Sequence, residues 1–269
     1  MMDAQRSGLA ARWRLTRTGL ALGGAAAAVI LLTWWGSFFI QTQLRLNDSY
    51  FIPTPVSGTV VLIALDDASH AQYGRSVADW PRRLYANLVA IVSRAGARVV
   101  AFDVLFSEPS SDDTALVTAI RAARESQQRT RVVMPFIGLQ PTPADTTPVL
   151  RFDDLLPPID RLSSVADYLG SVNTFSDTDN TVRRQPSRVQ VGDTTYLSLS
   201  LATYLAYLRV PAAASPQVIT AAADSVTVAE RRLPVDANGL WRPYFFGPPA
   251  AFPTYSARAV LAGEVPAAA

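Results

Sequence analysis

Residues 60–65 read VVLIAL, a continuous apolar run rich in β-branched side chains. Such a run reads as a strand buried on both faces, as in a parallel sheet. Downstream, Leu84, Leu88, Ile91, Val92 and Ala95 recur at helical spacing, and Gly96 stands where a C-cap glycine belongs. A second short apolar run, Val99 to Phe102, follows. Ser111, Asp112 and Asp113 then read as a helix start with acids favourable to its first turn, and Leu116, Ile120 and Ala123 continue that helix. RVVMPF at 131–136 reads as a third strand. The order over 60–136 is therefore β-α-β-α-β, which predicts a mostly parallel sheet with right-handed crossovers. The expected fold class is α/β: one N-terminal transmembrane helix, then this βαβαβ domain with an added antiparallel strand region.

The rest of the chain is less regular. Residues 138–160 are rich in Pro, Asp and Thr and read as an exposed loop. A hairpin is expected around Gly192-Asp193, a helix over 197–208, and short strands over 226–229, 232–235 and 240–246. Ser256 to Ala262 reads as a short helix stopped by Gly263. In an α/β layout a helix at its C-cap normally feeds another strand, so the sheet is expected to be incomplete at residue 269.

Composition adds exclusions. The 269 residues contain no Cys, one His and no Lys, all 24 basic residues being Arg. Disulfides, thiolate metal sites, multi-histidine metal sites, P-loop lysines and Schiff-base chemistry are thereby excluded. Charged residues are 17% of the chain against about 25% in soluble domains. Residues 1–17 hold four Arg and one Asp, whereas residues 45–269 hold 20 Arg and 21 acids. The large part is near neutral and has no basic stripe for a phosphate backbone, so no nucleic-acid partner is expected.

No charge falls between Arg17 and Arg45, and Gly19 to Ile40 is a largely apolar stretch 22 residues long. As a helix this run covers about 33 Å, against a hydrocarbon core of about 30 Å. Trp34 and Trp35 lie near its C-terminal end. Residues 18–44 are therefore expected to be a signal anchor in the lipid bilayer of the bacterial inner membrane. The positive-inside rule puts residues 1–17 in the cytoplasm and 45–269 in the periplasm or outside the cell. A cleaved signal peptide would need a shorter run and a small-x-small site after it.

Four segments, in order, resemble the second class of CHASE domains, the extracellular sensory domains associated with cyclases and histidine kinases. They are Leu65-Asp-Asp-Ala-Ser69 with Gly74 and Trp80-Pro-Arg82; Ala95 to Pro109 (AGARVVAFDVLFSEP); Gly170-Ser-Val-Asn173 with Asp177 to Arg183 (DTDNTVR); and Phe252 to Pro266 (FPTYSARAVLAGEVP). The resemblance implies a periplasmic input domain of a bacterial signalling receptor. It further implies later transmembrane helices and a cytoplasmic output module, an adenylate or guanylate cyclase or a histidine kinase of a two-component system. This chain departs from the pattern by lacking the glycine-rich strand after 254–266, the later helices and any output module. The segment itself is expected to be non-enzymatic. The resemblance defines no ligand and carries over no binding residue.

Three places are candidates for an extracytoplasmic ligand. Asp66, Asp67 and Asp103 follow the first two strands, at the carboxyl edge where open sheets commonly bind ligands. They could hold a hard cation or a cationic ligand; the preferred reading is that they cap loops and helix starts, or pair with Arg82, Arg83 or Arg98. Trp80 and Arg82 precede a helix, Trp80 as a pocket wall or, preferably, a buried anchor. Asn173, Asp177, Asp179 and Arg183 form a polar turn with part of a calcium-loop pattern but without its terminal Glu, so an Asx-stabilised turn is preferred. Ser69-His70 lacks the context of a catalytic triad, and no dinucleotide fingerprint is present. No metal and no cofactor are expected. The function expected is ligand sensing, with a homodimer as the assembly. The alternatives are a membrane-anchored periplasmic hydrolase using a divalent metal at the Asp66, Asp67 and Asp103 edge, and a module that only pairs receptors.

Overall fold

The computed structural model describes the backbone of residues 2–74, 76, 80–142, 149–248 and 250–265, and leaves the side chains of 2–17 and 35–39 outside the description. The chain divides into two units, Met1–Pro53 and Thr54–Ala269. The first is one helix, α1 (Met2–Ser49). Its described apolar side chains, Leu20, Leu22, Ile30 and Leu32 among them, are exposed. Among the described residues no helix is long and apolar enough to cross a membrane, which corrects the expected transmembrane helix. Of the 17 described side chains from Thr18 to Trp34, ten are Gly, Ala or Thr. These have little apolar surface to transfer from water. Trp35, the second indole of the expected span, lies outside the described side chains.

The second unit opens with β1 (Leu62–Ala64), α2 (Asp67–Tyr73), α3 (Arg82–Arg94), β2 (Val99–Ala101), α4 (Asp113–Glu125) and β3 (Arg131–Thr142). The β-α-β-α-β order is thus present, but β1 does not join β2. It pairs in parallel with β13 (Thr254–Ser256). Val60, Val61 and Leu62 are half exposed, and consecutive side chains alternate between faces, so the start of the run is not buried on either face. Pro81 occupies the cap of α3, one place before the helix. Tyr85 and Val89 point into the core, while Leu84 and Ile91 are only half buried. Gly96 ends α3 at φ +99°, a left-handed conformation that suits glycine.

The main sheet is mixed, which corrects the mostly parallel expectation. β3 runs beside β2 in parallel (Val99↔Arg131) and beside β5 (Tyr168–Ser171) in parallel (Val133↔Tyr168). The strand then continues past Phe136 and turns back antiparallel on β4 (Leu150–Leu156), Ile137 opposite Leu156. The segment expected as a loop over 138–160 is mostly this hairpin; residues 143–148 lie outside the description. α5 (Asp160–Ser163) leads to β5. β6 (Gln185–Pro186) precedes β7 (Arg188–Val191), which pairs in parallel with β4 and antiparallel with β8 (Thr194–Leu197), around Gly192 as expected. The physical reason for the mixture is that a short connection can only return a strand antiparallel, whereas parallel neighbours need a crossover.

α6 (Leu199–Tyr207) covers the opposite face of the sheet from α3 and α4. Strand alternation sorts the side chains of β3: Val132 and Met134 enter the core under α3 and α4, and Val133 enters the core under α6. Gly170 on β5 admits α6 closely, since a Cβ there would lie 2.5 Å from the Leu199 Cα. A separate antiparallel sheet of β9 (Ile219–Ala221), β10 (Ser225–Val228) and β11 (Arg231–Pro234) contributes Val226 and Val228 to the α6 core. β12 (Leu240–Trp241) pairs with β6. α7 (Ala257–Leu261) follows β13 and packs with Leu88 of α3.

Candidate functional site

The carboxyl edge after β1 does not assemble three carboxylates. Asp66 caps α2: its Oδ1 accepts from the Ser69 N–H at 3.0 Å, the Ser69 hydroxyl at 2.6 Å and the Ser256 hydroxyl at 2.9 Å. The Ser69 hydroxyl, donated first of all, with the Ser69 N–H and Ser256, holds the Asp66 carboxyl below the usual carboxylate range. Ser69 is fully buried and its Oγ accepts from the Arg258 N–H. Asp66 therefore joins the end of β1 to the start of α7. Asp67 and Asp103 are exposed. Among the described residues no group of three or more His, Cys, Asp or Glu could hold a metal ion.

Trp80 is 1% exposed and is an anchor. Its Nε1 donates to the Gly74 carbonyl at 2.8 Å, and its ring meets His70 and Tyr73 edge-on and stacks on Tyr85. His70 Nδ1 lies 3.1 Å from the same carbonyl. A carbonyl only accepts, so Nδ1 carries the proton. Arg82, also buried, extends over the Phe106 ring and donates to the Glu108 carbonyl and to Asp113 Oδ1. Its partner is thus neither Asp66, Asp67 nor Asp103. Arg83 pairs instead with Asp112 at the surface.

The 173–183 residues are brought together only in part. Asn173 accepts from the Gly138 N–H and donates to the Gly138 carbonyl, continuing the pairing of β5 beyond Ser171. Asp177 and Asp179 both receive the buried Arg183, Asp179 through two parallel bonds of 2.8 and 2.7 Å. Arg184 bridges Asp177 and Asp236. Arg184 first, and then Arg183, hold the Asp177 carboxyl below its ordinary range; Arg183 does the same for Asp179. The acids face arginines, so this turn is an ion-pair network tying the 176–184 segment to the turn before β12, each carboxylate being held by at least one guanidinium.

A cavity of about 230 Å³ lies elsewhere, lined by Arg124, Arg131, Asp167, Tyr168, Val210 and neighbouring small residues. It sits at the amino-terminal edge of the parallel strands: Arg98 precedes β2, Arg131 begins β3 and Asp167 precedes β5. Sequence reasoning followed the carboxyl-edge rule and so passed it over. The available signal was an arginine just before each of two apolar strands. Arg131 Nη1 donates to Asp167 Oδ1 at 2.6 Å, and Arg124 Nη2 is 3.4 Å from the same oxygen. Asp167 Oδ2 accepts from the Val132 N–H. Tyr168 donates to the Val210 carbonyl, and burial pushes its phenol up to about 12. Arg124 Nε is buried without an acceptor. A buried donor left so costs on the order of 1–3 kcal/mol, and more when the group is charged.

Around this cavity, Arg209 reaches the carbonyls of Arg129 and Gln128, and Arg98 donates to the Tyr207 carbonyl while stacking on its ring. Burial, then the charges of Arg98, Arg131 and Arg129, push the Arg209 guanidinium pKa down.

The model of the CHASE2 domain family matches residues 24–269. No curated protein and no solved structure matches the chain.

Proposed function

The chain belongs to the CHASE2 domain family, a family of sensory extracellular domains rather than catalysts, and from that premise we propose that residues 45–269 are the extracytoplasmic, ligand-sensing input domain of a bacterial signalling receptor. The output module of that receptor is of the cyclase or histidine-kinase type, and the domain works as a homodimer. The observation that carries the reading is the family match over residues 24–269. The sequestration of Asp66 by Ser69 and Ser256 speaks against a metal-dependent hydrolase at that edge.

Sensing requires two states with different affinity for a ligand, so the domain must respond to one. Thermal unfolding of the full chain against a panel of small extracytoplasmic metabolites tests this. A sensor gains melting temperature with one chemical class. Turnover of phosphate esters or carboxylic esters in the same panel would instead make it an enzyme. A dimer by sedimentation that no compound perturbs would leave only receptor pairing.

A further inference from the structure

We propose that the cavity at the amino-terminal edge of β2, β3 and β5 is a binding site for a small doubly charged oxyanion, phosphate or a short dicarboxylate. The inference deepens the sensing reading by naming the ligand class, and rests on that reading for its meaning. Its physical basis is separate.

The first element is charge. Arg124 and Arg131 line the cavity, and Arg98, Arg129 and Arg209 stand at the same edge. Asp167 is the one acid among the lining residues. Its oxygens are already engaged, Oδ1 by Arg131 with Arg124 close by, Oδ2 by the Val132 N–H. Arg98 and Arg209 donate to backbone carbonyls, which carry no net charge; of the acids only Asp167 acts on Arg209, and weakly. A field of one sign over a low-dielectric wall concentrates counter-ions.

The second element is an unfilled donor. Arg124 lines the cavity, and its Nε–H is buried with no acceptor. A guanidinium presents its N–H groups in a planar fork that suits carboxylate and phosphate. The fork of Arg124 is half used, by the Val165 carbonyl and Asp167 through Nη2.

The third is size and access. A volume of about 230 Å³ is below the range of about 300–1,000 Å³ for drug-sized ligands. It suits an ion of a few heavy atoms with its water. The side chains of Arg124 and Arg131 are 39% and 33% exposed, so the site opens to solvent. Arg129 and Arg209 hold left-handed backbone, φ 49° and 64°. Non-glycine residues adopt this rarely, and two of the six that do so among the described residues stand here.

The test is calorimetric titration of the full chain with sodium phosphate and, separately, sodium succinate, at fixed ionic strength with chloride as control. One-site saturable heat with phosphate or with succinate, and none with chloride, is expected; whichever anion saturates names the source of the charge. Arg124→Gln should weaken binding at least about tenfold. Ala212→Phe, which fills the cavity wall and leaves every arginine in place, should abolish it. Arg121→Gln, outside this cavity, should not change it. Circular dichroism confirms that each variant is folded. No saturable heat with either anion, equal heat with chloride, or affinity unchanged in both R124Q and A212F would overturn the site while leaving the family reading intact. Binding that passes these arms, in a domain that transmits no signal, would uphold the site and count against the sensor.

Discussion

Arg82 and Asp113, 31 positions apart, form an ion pair of 3.3 Å in which both side chains are about 95% shielded from solvent, at 4% and 5% exposure. The pair fixes the loop before α4 against the start of α3. Removing one partner leaves a buried charge unanswered, and such a loss costs about 3–5 kcal/mol. Arg82→Met should therefore lower the urea midpoint strongly. The double variant Arg82→Met/Asp113→Leu should recover much of the loss, because no isolated charge then remains. Equal losses in the single and double variants would show that the pair's charge is not what matters.

Asp66, Asp177 and Asp179 all have their carboxyls held below the ordinary range, by hydroxyl and N–H donors for Asp66 and by arginines for the other two. A depressed folded pKa contributes stability that is fully present above the unfolded value, near about 3.9, and is lost as pH falls through the folded values. The melting temperature should hold steady above pH about 5 and drop steadily below pH about 4. Asp66→Asn should make that acid decline shallower, read by scanning fluorimetry from neutral pH downward. An unchanged acid slope in Asp66→Asn would remove this residue from the account.

Gly170 and Gly24 separate two roles of glycine. At Gly170 a Cβ would meet the Leu199 backbone, whereas at Gly24 nothing stands within 4 Å. Gly170→Ala should cost about 1–3 kcal/mol through overpacking. Gly24→Ala, inside α1, should be neutral or gain up to about 1 kcal/mol. Denaturation midpoints of the two variants decide it.

The proposed extracytoplasmic placement of residues 45–269 carries a topological prediction. Alkaline phosphatase fused after residue 269 should be active in bacterial cells, and a green fluorescent protein at the same point should be dark. The reverse pattern would place the domain in the cytoplasm.

The sequence disclosed local features well and distant partners poorly. Helix α3, the hairpin at Gly192 and the anchoring of Trp80 were legible, because capping, turn chemistry and apolar spacing act over a few residues. The partner of Arg82 was not, since Asp113 is brought to it only by the packing of α3 on α4. The apolar run at 60–65 reads as a strand buried on both faces, yet among the described residues it has one neighbour, because a run of apolar residues does not say how many neighbours a strand has. The arginine cavity was the least visible. Arg98, Arg124, Arg131 and Arg209 are scattered over more than a hundred positions and converge only when β2 and β3 come into register.

α3 carries a mechanical consequence. Tyr85 and Val89 fasten it to the core of the main sheet, and Leu88, with Ile91 at its side, fastens it to α7 and the β1–β13 ribbon. Among the described residues no strand pairing joins that ribbon to the main sheet. What the two sheets share is therefore side-chain packing, through α3 and through Leu65 just after β1, so a shift of the ribbon against the main sheet would be resisted by apolar contacts and not by a described interstrand hydrogen bond.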